Sequence, residues 1–172
     1  IFDLTQLENL TAIGAPHPLQ SDAYYSGFGH AHNIVADTAN KFVYGVGTDT
    51  FEGGLHAVDV SDPLNPVYAG SNGFGGYVHD AQSVTYTGPD ANYTGKQITV
   101  GFNADRIVVY DVTDKTDIEI ISQTSYDNVA YTHQGWFTED MHYMLSNDEQ
   151  DELLFDMNTR TIVWDMSDLS NP

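Results

Sequence analysis

The 172-residue chain carries 25 acidic against 5 basic side chains, a formal charge of −20, which argues against nucleic acid or an anionic membrane surface as a partner. It contains no cysteine, so disulfides and thiolate metal sites are excluded. A hydrophobic fraction of 41% belongs to a folded chain rather than a disordered one, and no apolar run approaches the length of a membrane helix.

Residues 1–7 (IFDLTQL) open the chain with a partial copy of a phrase that recurs. The full copies are residues 54–66 (GLHAVDVSDPLNP), 106–118 (RIVVYDVTDKTDI) and 160–172 (RTIVWDMSDLSNP). Their aligned aspartates are Asp3, Asp59, Asp111 and Asp165, at steps of 56, 52 and 54 residues. Self-similarity at that period marks a repeat architecture. In each copy β-branched and apolar residues alternate as a strand, then stop at Ser, Thr, Asp, Asn or Pro, which form turns. The aspartates are expected to accept hydrogen bonds from the turn backbone. A calcium site at Asp59, Asp62 and Asn65 is the sharper alternative, but it lacks EF-hand spacing.

Residues 8–29 are expected to give one outer strand around 10–13 and then a connection broken by Pro16, Pro18, Gly27 and Gly29. The first full unit follows as strands at 32–37, 41–48, the phrase beginning at Gly54, and 67–72. The second reads as 79–86, 97–103, 106–112 and 118–124. The third reads as 133–140, 141–148, an acidic loop, and 161–166, with its fourth strand expected beyond Pro172 or from another segment. Four short strands per unit of about fifty residues, without helical periodicity, predict an all-β fold of β-propeller blades. Residues 1–28 are read as the end of a preceding blade and a connection. Residues 29–76 and 77–130 are read as blades, and 131–172 as an incomplete blade. About three blades cannot close a ring, so the chain is expected to be a segment of a larger propeller, completed by further blades or by another copy.

The histidines opening the units, His32, His79 and His133, are the candidate metal ligands. The first strand of a blade lies nearest the propeller axis, so equivalent residues there converge on one rim. Imidazoles with amide and carboxylate neighbours suit zinc or another divalent transition metal, and His30 adds a second ring beside His32. The alternative is structural, with the histidines hydrogen-bonded between blades and His79 partnered by Asp111. The run of residues 148–152 holds four carboxylates and reads as a solvated face, with calcium binding or a basic partner as alternatives. Trp136, Phe137, Tyr143 and Trp164 are expected to pack between blades. Asn9 and Asn92 open N-x-T sequons that could be glycosylated. No nucleophile elbow, Walker loop, zincin helix motif or dinucleotide fingerprint is present.

The phrase at 54–66, with YVHDAQ at 77–82, GFN at 101–103 and YTHQGWFTEDMHYML at 131–145, resembles the LVIVD-repeat proteins and, within them, the choice-of-anchor B group. That resemblance implies a propeller domain on extracellular or cell-surface proteins that differ in how they are tethered. Cysteines that members carry near the positions of Ser83 and Thr99 are missing here. The expected function is a non-catalytic module for binding or structural assembly, with surface proteins, glycans or copies of itself as partners. The competing expectation is a metal-dependent enzyme using the inner-strand histidines.

Overall fold

The computed structural model describes residues 1–9 and 18–172. Among them, eleven strands form three separate antiparallel sheets. Blade 1 runs β1 (Asn33–Asp37), β2 (Phe42–Val46), β3 (Leu55–Asp59) and β4 (Val67–Asn72) in that spatial order. Blade 2 repeats the order with β5 (Asp80–Thr85), β6 (Gln97–Asn103), β7 (Arg106–Asp111) and β8 (Glu119–Thr124). Blade 3 has β9 (Thr132–Phe137), β10 (Tyr143–Asp148) and β11 (Thr161–Asp165). The described residues are nearly all β, two four-stranded meanders followed by a three-stranded one, as the repeat predicts. Among the described residues no helix is long and apolar enough to cross a membrane.

The repeated phrase owes its abrupt stop to its aspartates. Asp59 accepts from Ser61 N–H at 2.8 Å, Asp111 from Thr113 at 3.0 Å and Asp165 from Ser167 at 2.9 Å. A second lock follows three residues later: Asp62 takes Leu64 N–H, Asp114 takes Thr116 and Asp168 takes Ser170. These carboxylates end each third strand by satisfying turn donors that a ladder would otherwise need. The copy at the start of the chain keeps the lock, Thr5 N–H to Asp3 at 3.0 Å, but not the strand. Leu4–Asn9, which aligns with the turn residues 60–65 of blade 1, is a 3₁₀ helix, and the Ile1 carbonyl before it accepts from Asp22 N–H at 3.0 Å. The expected outer strand at 10–13 lies outside the described residues.

Blades pack face to face. Between blades 1 and 2, Tyr44, Leu55 and Ala57 meet Val78, Val108 and Tyr110. Between blades 2 and 3, Val100, Phe102 and Val109 meet Phe137, Met144, Trp164 and Leu169. Lys115 and Leu169, four places after Asp111 and Asp165, are knobs pressed into the preceding blade, whereas Pro63, at the same place after Asp59, is exposed. The Lys115 carbonyl abuts Gly70, where a Cβ would collide with it, and the Leu169 carbonyl accepts the Ser122 hydroxyl at 2.7 Å. The Lys115 ammonium ends inside this joint, bonded to the Gln97 amide and the Val112 carbonyl and 4.2 Å from the Phe42 ring centroid.

Cross-strand register explains one reversal. Val35–Tyr44–Ala57 and Gln82–Val100–Val109 form buried rows across blades 1 and 2. The same row in blade 3 is Trp136–Leu145–Val163, and no blade covers it among the described residues. Trp136 is therefore 67% exposed, and Tyr143 is 41% exposed, where packing was expected of both. Phe137 and Trp164 are buried as expected. The acidic loop also departs from expectation, since it contains a short helix, α1 (Asp151–Phe155). Asp151 is buried and gripped by Arg160 through Nη2 at 2.6 Å and Nε at 2.9 Å, so the basic-partner alternative holds there.

Candidate metal centre

Two of the three opening histidines sit in a Tyr-x-His triplet, Tyr77-Val78-His79 and Tyr131-Thr132-His133. In extended chain, alternate residues share a face. Val78 and Thr132 are fully buried, which turns the flanking tyrosine and histidine of each triplet to the opposite side. Backbone bonds hold these starts in place: His79 N–H to Phe102 O at 2.9 Å, and Thr132 N–H to Ala104 O at 2.8 Å. His32 is anchored by its N–H to Val46 O at 2.9 Å. Beside it Gly47 adopts φ +58°, and a Cβ there would strike His32 Cβ.

The three histidines form a chain from blade to blade. His32 Nδ1 lies 2.8 Å from the His79 carbonyl oxygen, and His79 Nδ1 lies 3.1 Å from the His133 carbonyl oxygen. A carbonyl only accepts, so Nδ1 carries the proton in both rings and Nε2 of each neutral imidazole keeps its lone pair. The rings stack loosely, with centroids 3.7 Å apart for His32 and His79 and 4.7 Å for His79 and His133. Burial is the main influence on His79 and holds its pKa below the ordinary histidine value, against a smaller opposing effect of the His133 carbonyl bond. The expected His79–Asp111 partnership is not formed. Asp111 is occupied by Lys96 at 2.7 Å and by Thr113.

Glu149 completes the cluster. The β9–β10 ladder shifts register at Asn147/Asp148, and such bulges re-aim the following side chain. Glu149 N–H then bonds Tyr131 O at 2.9 Å. The buried Asp148 carboxylate secures the loop by accepting from Tyr126 Oη and Ala130 N–H at 2.7 Å, Tyr131 N–H at 3.0 Å and Gln150 N–H at 3.1 Å. Glu149 Oε2 stands 3.7 Å from His133 Nε2. Ligand atoms of His79, His133 and Glu149 all lie within 4.8 Å of one another, so these three could hold a metal ion. His32 stacks on His79 but falls outside this group.

Glu149 was not singled out from the sequence because it lay within an acidic run. A signal was nonetheless present. Pairing of Phe42 with Asp59, Ile98 with Asp111 and Tyr143 with Asp165 aligns the second strands. On that alignment Glu149 stands where the other blades have Thr48 and Ala104, a carboxylate departing from the repeat.

The remaining candidates are placed as follows. Asp59 Oδ1 accepts from Ser61 and the two Asp62 oxygens accept from Leu64 and Asn65, as turn locks do. Asn92 is exposed, with its amide nitrogen 3.0 Å from Asp90 Oδ1. The side chain of Asn9 lies outside the described residues. Along the inner strands β1, β5 and β9 runs a groove of about 350 Å³ lined by Asn33, Asp80, Gln134 and Trp136 among others. Asn33 Nδ2 donates to Asp80 Oδ1 at 2.8 Å across blades 1 and 2. No family model matches the chain, and no curated protein is similar to it.

Proposed function

We propose that the chain is a non-catalytic β-propeller module of the LVIVD-repeat, choice-of-anchor B type, working outside the cell or at its surface and binding glycan. The observation that carries this is the groove along the inner strands, lined by Asn33, Asp80, Gln134 and Trp136. An open indole face with fixed amide and carboxylate groups nearby suits a sugar ring, apolar on one side and hydroxylated at its rim. The charge of −20 favours a neutral glycan over an acidic one. His32 and His79 each spend Nδ1–H on joining one blade to the next, which gives both a structural task. Of the two ions anticipated, zinc fits two imidazoles and one carboxylate, whereas calcium takes six to eight oxygens.

The test is a titration with neutral β-glucan and mannan oligosaccharides, followed by tryptophan emission. Trp164 is buried, so the response reports Trp136. The expected result is a saturable change that Trp136→Ala abolishes while the melting temperature holds. No emission change and no retention on either immobilised glycan would sink the glycan reading.

A further inference from the structure

The cluster draws on two blades: His79 immediately precedes β5, His133 lies within β9, and Glu149 follows β10. An ion held by all three therefore joins blade 2 to blade 3. We propose that His79, His133 and Glu149 form a zinc site whose ion clamps these blades together at the rim nearest the axis. The proposal rests on the zinc reading of the donor set, and it assigns the metal a structural task between blades.

Three features of the geometry support the clamp. First, the His79 Nδ1–H bond to the His133 carbonyl is the outer contact that metal-binding histidines use to orient the ring and present Nε2. Here that contact itself crosses the blade joint. Second, a tetrahedral zinc with bonds of about 2.0–2.1 Å sets its donors roughly 3.4 Å apart. His133 Nε2 and Glu149 Oε2, at 3.7 Å, already stand close to that spacing. The Glu149 side chain is 49% exposed and its residue is held through the backbone N–H, so the carboxylate can rotate toward both rings. Third, this edge of the joint has few bonds of its own. His79 Nδ1 to His133 O and Thr132 N–H to Ala104 O link the blades there, so an added ion would tighten a lightly tied edge.

The experiment titrates the whole chain and Glu149→Gln with zinc, using calcium as the control ion. Binding is read by calorimetry, stability by thermal melting and the joint by hydrogen exchange at Thr132 N–H. Glu149→Gln keeps the backbone bond to Tyr131 and so preserves the fold. The expected result is one zinc per chain and no effect of calcium. Tm should rise by about 5–10 °C at zinc a hundredfold above Kd, with slower exchange at Thr132. Glu149→Gln should bind zinc on the order of tenfold more weakly or worse. Absence of zinc uptake by the folded wild type would overturn the zinc reading itself. Zinc bound without a rise in Tm or slower exchange would overturn the clamp alone. Unchanged affinity in Glu149→Gln would overturn the ligand assignment.

Discussion

His56 in β3 is 2% exposed, and both of its ring nitrogens are engaged, Nε2 by Tyr25 Oη at 2.7 Å and Nδ1 by Thr50 Oγ1 at 2.8 Å. Phe28, Phe51 and Tyr68 pack around the ring, fastening the segment before blade 1 to the blade. Burial lowers the His56 pKa from 6.5, with the Asp49 carboxylate opposing it weakly. In the unfolded chain the ring takes its proton at about 6.5, so below that value the unfolded state binds more protons. The stability contributed by neutral His56 is whole above pH 6.5 and is lost as pH falls toward the folded pKa. Melting curves from pH 7.5 to 5.5 should therefore show Tm falling more steeply in wild type than in His56→Gln. Parallel curves would show that His56 does not carry the dependence.

At the scale of elements, the blade joint is a periodic device. The same β-bulge interrupts the third-to-fourth strand ladder at Ala57/Val58 and Val109/Tyr110, and matching knobs, Lys115 and Leu169, follow the turns of blades 2 and 3. Gly70 and Ser122 occupy equivalent places beneath successive knobs, one touching a carbonyl and the other bonding it. Gly70→Val would push its side chain into the Lys115 backbone and should cost about 1–3 kcal/mol, the range for overpacked cores. Ser122→Ala would leave the Leu169 carbonyl unpaired and should cost about 1 kcal/mol. Urea denaturation midpoints measure both. An unchanged midpoint for Gly70→Val would mean that the blades do not meet as closely as this contact requires.

Across the whole molecule, charge is lopsided. Three of the five basic residues are already paired, Lys96 with Asp111, Arg106 with Asp105 and Arg160 with Asp151, and Lys115 is buried in the joint. The rest of the surface is left almost entirely acidic and repels itself. Salt shortens the reach of that repulsion to about 10 Å at 0.1 M. Tm is expected to rise between 10 and roughly 300 mM sodium chloride, and to rise further in zinc than in an equal ionic strength of sodium. A Tm that falls with salt would show that the few ion pairs outweigh the repulsion.

The repeat was legible because blade strands are short-range objects. Alternation gave β4 and β6 to the residue, and the turn aspartates act within two positions of themselves. Local chemistry of that kind is written in a linear sequence. The three opening histidines were also legible as a set, since the period aligned them. What the sequence by itself determined was therefore the strand order within a blade, the stops between strands and the identity of the rim. Only the tertiary structure decided which groups meet there. His79 answers to the His133 carbonyl 54 residues away, Glu149 is turned toward His133 after a bulge, and Trp136 is exposed because no blade among the described residues covers its row. Each of these depends on how one sheet lies against the next, a relation carried by packed surfaces rather than by neighbours along the chain.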